Sequence, residues 1–361
     1  MSVNVVNDAA APAASKALVL SGGGALGGYE AGVIAGLRKA GRTFDVVCGT
    51  SIGAINAAFV AQGAFDELDT LWHTIGAVGV IELIAQVQAL EALLHDVEGV
   101  AGIGKPILPE RIADFAHAFR DYEGIGPFKV LIGLLGALNP APIASLLTGK
   151  LDLAAVTSTL IVSATNLTRG TSDAFYVFRG ANAGAQAHFE RNHPQNAYPF
   201  DPATFVDTVR ASTSIPGAFP PVTIPIGNPA QSCGYVDGGV ANNTPIGLAI
   251  DAGATDVTIV FLEPPDAPAA TQAITNLGEI GLACFSVMQQ KILDSDLKTA
   301  MRVNDSAQSG AKPRRRIPLW TIRPKTPLGV SVLQFDNQPG IDAIYQQGLA
   351  DAANPVLVSG G

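Results

Sequence analysis

The sequence predicts an α/β fold in which parallel strands are covered by helices, and two neighbouring segments carry that expectation. The apolar run Lys16-Ala17-Leu18-Val19-Leu20 passes into Gly22-Gly23-Gly24-Ala25-Leu26-Gly27 and then into a helical pattern. The run Asp45-Val46-Val47-Cys48 passes into Gly49-Thr50-Ser51-Ile52-Gly53 and again into a helical pattern. Strand-to-helix connections this short favour parallel strands with helical crossovers. Composition agrees, since 48% hydrophobic and 15% charged residues over 361 positions is ample for a sizeable core.

The chain opens with a strand at 16–20, a glycine turn, a helix from about Leu26 to Ala40, a strand at 45–49, a second turn and a helix from Ile52. Residues 66–150 become largely helical and apolar, with helical patterns at 79–94 and 109–119 and a glycine- and proline-broken apolar stretch at 128–147. That region is either a cap over the site or part of the helical layer. Sheet signals return at 160–164 and 174–178, and a polar loop at 180–198 carries His188 and His193. A helix over Phe205–Ser212 leads into the rigid turn Ile215-Pro216-Gly217-Ala218-Phe219-Pro220-Pro221. Gly234-Tyr235-Val236-Asp237-Gly238-Gly239 ends a strand, and Thr244-Pro245 starts a helix with Thr244 as cap and Pro245 at its first position. A strand at 256–262, a long helix at 270–300 and a strand at 318–322 complete the pattern. Residues 1–15 read as a flexible tail, 16–356 as one domain and 357–361 as a short C-terminal tail.

A net charge of −9 argues against nucleic acid as a partner, because phosphates require a basic surface. The exception is Lys312-Pro313-Arg314-Arg315-Arg316, with Arg323 and Lys325 nearby; it reads as a solvated loop, the sharper alternative being contact with anionic lipid head groups. Cys48, Cys233 and Cys284 have no metal-ligand spacing and read as reduced thiols, with Cys48 filling core. The N-terminus lacks the pattern of a signal peptide, and the longest apolar run, 130–138, is too short to span a bilayer. The expectation is a cytoplasmic protein, with transient membrane-surface contact and oligomeric state left open.

Gly22-x-Gly24-x-x-Gly27 formally matches the dinucleotide-binding fingerprint, which gives a nucleotide-dependent oxidoreductase as one alternative. That fingerprint needs an acidic residue at the end of the second strand, where Gly49-Thr50-Ser51 stands instead, with Asp45 at the strand's start. A phosphate-binding P-loop fails too, because no Lys-Ser or Lys-Thr follows the glycines. What remains is a set of main-chain amides at a helix start that attract an anion, and an oxyanion is one such anion.

Gly49-Thr50-Ser51-Ile52-Gly53 fits the sharp strand-to-helix turn that exposes a nucleophilic serine; the bland alternative is an ordinary helix cap. Its base is sought first among His73, His95, His117, His188 and His193. The first three lie in helical stretches, so a triad would draw on His188 or His193, with Asp173 as orienter. Asp237 is the stronger candidate, a carboxylate at a strand end beside two glycines, although Asp-Gly is also a common turn. A carboxylate is a weak base for serine unless burial raises its effectiveness.

Taken together, Gly22-Gly23-Gly24-Ala25-Leu26-Gly27, Gly49-Thr50-Ser51-Ile52-Gly53 and Asp237-Gly238-Gly239 resemble, in order, the blocks of the patatin-like phospholipase family. Ser163-Ala164-Thr165-Asn166-Leu167 and the turn from Ser214 to Pro221 agree, and the likeness spans roughly 16–262. The resemblance implies a three-layer α/β/α fold with a mostly parallel sheet and a helical insertion. It implies a lipid acyl hydrolase with a Ser51–Asp237 dyad, an oxyanion hole from Gly22, Gly23 and Gly24, and no metal or organic cofactor. Gly27, Gly49, Gly53, Gly238 and Gly239 complete the motifs. Many family members carry Arg or Lys where Leu26 stands here, so anionic phospholipids are not specially favoured and neutral glycerides or other apolar esters stay open. A lipid-binding or scaffold protein that keeps the fold without hydrolysis is the alternative.

Overall fold

A computed structural model describes residues 15–77, 139–216, 218–265, 277–306 and 316–359. The helical patterns expected at 79–94 and 109–119, most of the 128–147 stretch and the basic run at 312–315 lie outside the described residues. So does the tail up to residue 14, whereas Ser15 is buried and its N–H donates to Thr255 Oγ1 at 2.9 Å.

A ten-stranded sheet organises the molecule. Strands β1 (Lys16–Leu20), β2 (Val46–Thr50), β3 (Thr159–Asn166), β8 (Asp256–Val260) and β9 (Leu319–Ile322) form a parallel centre in the order β9-β8-β1-β2-β3. The flanks are mostly antiparallel. β4 (Thr171–Val177) runs against β3 and is extended in parallel by β5 (Ala197–Pro199), while β10 (Val356–Ser359) runs against β9. Residues 357–359 are therefore sheet edge rather than tail. A hairpin, β6 (Val222–Ile226) with β7 (Gln231–Val236), attaches to the end of β3 through Thr165 opposite Val236 and Asn166 opposite Tyr235.

Helices cover both faces, as continuous apolar strands require. On β1 the side chains alternate, Leu18 and Leu20 entering one core and Ala17 and Val19 the other. The first core is closed by α1 (Gly27–Lys39), α2 (Ile52–Gln62), α3 (Phe65–Thr74), α4 (Ala141–Leu147), α6 (Phe205–Ser212) and α9 (Gln338–Asp351). The second is closed by α5 (Gln186–Asn192), α7 (Ile246–Asp251) and α8 (Leu277–Ser306). Three layers, α/β/α, result. Cys48 packs in the second core, where burial raises its thiol far above the usual range and leaves it inert.

The helix from about Leu26 begins one residue later, because Gly24–Leu26 form a short 3-10 turn ahead of α1. The polar loop at 180–198 contains α5, with His188 inside it and His193 at its end. Pro245 precedes α7 rather than opening it, and Thr244 does not cap it: the Thr244 hydroxyl pairs with Ser21 Oγ at 3.0 Å. α2 is buried along nearly its whole length, and its Asn56 joins three helices. Asn56 Nδ2 donates to Glu30 Oε2 at 2.9 Å, and Trp72 Nε1 donates to Asn56 Oδ1 at 2.9 Å. Complete burial raises the Glu30 carboxyl well above the usual carboxylate range, against the opposing bond from Asn56.

α1 and α9 pack at backbone distance. A Cβ on Gly32 would lie 1.9 Å from the Tyr345 carbonyl oxygen, and one on Gly348 would lie 2.1 Å from that of Tyr29. Gly32→Ala is expected to cost about 1–3 kcal/mol in urea unfolding, the usual penalty of overpacking. Gly247→Ala, at an exposed helical position with nothing within 4 Å of the new methyl, should be neutral or stabilising.

Candidate active site

β2 ends at Thr50 and α2 begins at Ile52, so Ser51 alone makes the reversal. Its φ of 54° is the one positive value at a non-glycine among the described residues. Such a conformation costs about 1–3 kcal/mol and persists only where its surroundings over-determine it. Here they do. Ser51 N–H donates to Ser212 Oγ at 2.8 Å, and Ser212 Oγ–H donates in turn to the Ser163 carbonyl at 2.6 Å. Flanking glycines are dictated by close approach: a Cβ on Gly49 would lie 2.2 Å from Gly53 O, and one on Gly53 would lie 2.6 Å from Leu20 O.

The hairpin β6–β7 exists, for this site, to deliver Asp237. Because β7 joins the end of β3, and β3 neighbours β2, the residue after β7 arrives beside the residue after β2. Ser51 Oγ–H donates to Asp237 Oδ2 at 2.5 Å, across 186 positions of sequence. Gly239 N–H donates to Oδ1 of the same carboxylate at 2.7 Å. Asp237 N–H donates to Ser214 O at 2.8 Å, and Thr165 Oγ1 donates to Asp237 O at 2.9 Å, so the backbone is pinned on both sides. Gly238 has no room for a side chain, since its Cβ would lie 2.2 Å from Ser163 O. Asp237 is wholly buried, and that burial raises its carboxyl to about 7 against the opposing bonds from Ser51 and Gly239.

The glycine turn at the end of β1 stands beside both groups. The three amides are not equivalent, however. Gly22 N–H donates to the Asn243 carbonyl at 3.2 Å, which removes it from the set of free donors. Among the described residues the Gly23 and Gly24 amides have no partner, and Gly24 faces Ser51 across a pocket. Ala25 N–H is taken by Val332 O at 2.8 Å, which anchors the turn from behind. Gly27 lets α1 close on its neighbours, its Cβ position lying 2.5 Å from Ile52 Cγ1 and 2.7 Å from Trp72 Cζ2. The start of α2, directly after Ser51, adds the partial positive charge of a helix N-terminus. Leu26 is buried in the first core, so no cation enters from that position.

The pocket encloses about 530 Å³, mouth included. Its walls are Ile52, Ile55, Leu71, Ile75, Ile143, Leu146, Leu147, Ile215, Phe219 and Phe335, with Thr213, Gly24 and Ser51 the remaining members. Three of these belong to α4, so part of the 66–150 region does wall the site.

The alternative bases lie elsewhere. His193 Nε2 pairs with Asp251 at 3.0 Å, and His188 Nε2 pairs with Asn192 at 3.1 Å. Asp173 orients neither: it accepts from Asn166 Nδ2, Tyr235 Oη and Thr171 Oγ1 at 2.7–2.8 Å and braces β7 from below. Among the described residues no group of His, Cys, Asp and Glu is arranged to hold a metal, and no helix is long and apolar enough to cross a membrane. Sequence reasoning missed Ser212 and Asn243. Ser212 ends an amphipathic helix in the hydroxyl-rich run Ser212-Thr213-Ser214, a faint signal; Asn243 follows Asp237 by six residues in a glycine-rich loop.

The patatin-like phospholipase family model matches residues 18–250, and the chain belongs to that family. Lysophospholipase nte1 of Aspergillus terreus is 52% identical over 50 residues, which is 14% of this chain and only 3% of that protein. The crystal structure of VipD from Legionella pneumophila aligns with 96% of this chain and 68% of its own at 15% identity and a TM-score of 0.38. The type III effector protein ExoU aligns with 94% of this chain and 53% of its own, at 15% identity and a TM-score of 0.29.

Proposed function

We propose that the protein is a lipid acyl hydrolase in which Ser51 is the nucleophile and Asp237 the general base. The observation that carries this reading is the 2.5 Å hydrogen bond to a buried carboxylate from Ser51, which itself lines an apolar pocket. Ser51 Oγ attacks the ester carbonyl as its proton passes to Asp237, and the developing oxyanion is received by the Gly23 and Gly24 amides. Collapse of the tetrahedral intermediate expels the alcohol, which takes the proton from Asp237. Water then gives a proton to Asp237 while attacking the acyl-enzyme; the acid is released and Ser51 recovers its hydrogen. Family membership supports a lipid as substrate, and the uncharged pocket walls suit an acyl chain. The C-terminal strand β10 belongs to the same sheet, which supports one hydrolase domain extending beyond residue 356.

The buried Leu26 motivates a second reading, a lipid-binding protein without turnover. A panel of p-nitrophenyl esters from acetate to palmitate separates the two: hydrolysis that prefers medium or long chains supports the enzyme, and an inert wild-type protein supports the binder. In the same panel His188→Ala and His193→Ala should each keep kcat within about two-fold, because neither ring touches the serine. A collapse of kcat in either variant would reinstate a triad.

A further inference from the structure

α8 lies beyond the residues matched by the family model, yet its Gln289 reaches the site. This side chain is 7% exposed, and its Nε2 donates to Asn243 Oδ1 at 3.3 Å. Two glycines locate the amide against the reacting groups. A Cβ on Gly22 would stand 3.0 Å from Ser51 Cβ and 3.4 Å from Gln289 Nε2. A Cβ on Gly239 would stand 2.3 Å from that same nitrogen and 3.0 Å from Asp237 Oδ1. The amide thus abuts the site from both the serine side and the carboxylate side.

Asn243 is the relay. Its carbonyl accepts the Gly22 N–H at 3.2 Å, and the neighbouring Asn242 carbonyl accepts Thr50 Oγ1–H at 2.9 Å. The loop that carries Asp237 is therefore tied to the glycine turn and to the serine turn, and α8 holds that loop. Seven residues further along α8, on the same helix face, the Thr244 backbone opposes the upward effect of burial on the Asp296 carboxyl, so α8 meets the loop there as well. Peptide units are rigid planes, so fixing Gly22 restricts where the next two amides point. A neutral donor suits this position: a cation would favour the charged carboxylate and weaken it as a base, and an anion would repel it.

We propose that Gln289 is a positioning residue for the Ser51–Asp237 pair, acting through Asn243 to hold the glycine turn against the serine. The inference rests on the catalytic reading of Ser51 and Asp237 given above. Two substitutions test it in the full chain by steady-state ester hydrolysis across pH. Gln289→Glu keeps the shape and sets a second carboxylate beside Asp237; the acid limb of kcat/KM should move up by about one pH unit, as for neighbouring carboxylates. Gln289→Met removes the polar atoms at similar volume; kcat should fall about 10- to 100-fold with KM nearly unchanged, the scale of a small misplacement of reacting groups. Thermal melts establish that each variant is folded, and should Gln289→Met unfold, the limb shift in Gln289→Glu decides alone. A Gln289→Glu profile superimposable on wild type, with full kcat in Gln289→Met, overturns the proposal. Ser51→Ala run alongside separates the levels: turnover surviving in Ser51→Ala removes the catalytic reading and this inference with it. Loss in Ser51→Ala with wild-type behaviour at position 289 removes the inference alone.

Discussion

Replacing Ser51 with alanine should lower ester turnover by on the order of 10⁴-fold or more, to near the uncatalysed rate, because Thr213, the other hydroxyl in the pocket, donates to the Arg210 carbonyl rather than to a carboxylate base. The fold should survive. Alanine accepts the same strained backbone no worse than serine, and the bond from the main-chain N–H of position 51 to Ser212 Oγ is retained. KM for a medium-chain ester should change little, since the apolar walls of the pocket are untouched. Circular dichroism and a thermal melt that match wild type, together with absent turnover, are the expected pair of results.

Asp237→Asn should be nearly as damaging, with kcat down about 10³- to 10⁴-fold, because an amide cannot accept the serine proton. The wild-type pH profile gives the same group a second signature. Burial raises Asp237 to about 7, and a general base must be ionised, so kcat/KM should fall as pH drops below about 7. Stability should move the opposite way. A carboxyl whose folded pKa exceeds its unfolded value binds more protons in the folded state between the two values. Its stabilising contribution is therefore full below about pH 4 and is lost as pH rises through about 7. At pH 8 the ionised, buried carboxylate is a cost that Asp237→Asn removes, so the inactive variant should melt a few degrees higher than wild type. Part of the pH slope will remain, since burial also raises Asp296 to about 7.

Local chemistry explains what the sequence made legible. The glycine turn and the serine turn follow apolar strands directly, and each glycine sits where a side chain would strike a neighbour, backbone at Gly24, Gly49 and Gly53 and packed side chains at Gly22, Gly23 and Gly27, so the motifs record steric necessity. Asp237 was readable for a similar reason: Tyr235 and Val236 end a strand, and Gly238 permits the close approach to β3. The strand β6 was not, because Pro225 interrupts it, and proline is tolerated there only at a sheet edge. In α9, Ile341, Ile344, Tyr345 and Gly348 keep helical spacing, but Gly340 and Gly348 dilute the signal. α5 buries only Phe189, so it shows no period at all.

The site's second ring of residues was beyond local reading. Gly22, Gly23 and Gly24 look alike as a string, yet a carbonyl from residue 243 takes the first amide and leaves the other two. Gln289 lies in a long helix without any motif, and only the fold places it against Asp237. Contacts across such separations depend on where strands end in the sheet, which short-range pattern does not encode.

The most direct trial uses a fluorophosphonate probe, which bonds covalently to a serine only if that serine is activated. Intact mass after incubation, followed by peptide mapping, should give a single adduct on Ser51, formed quickly above pH 7 and lost in Asp237→Asn. A protein that stays unmodified, or one labelled at another serine while Ser51 remains free, would contradict the account.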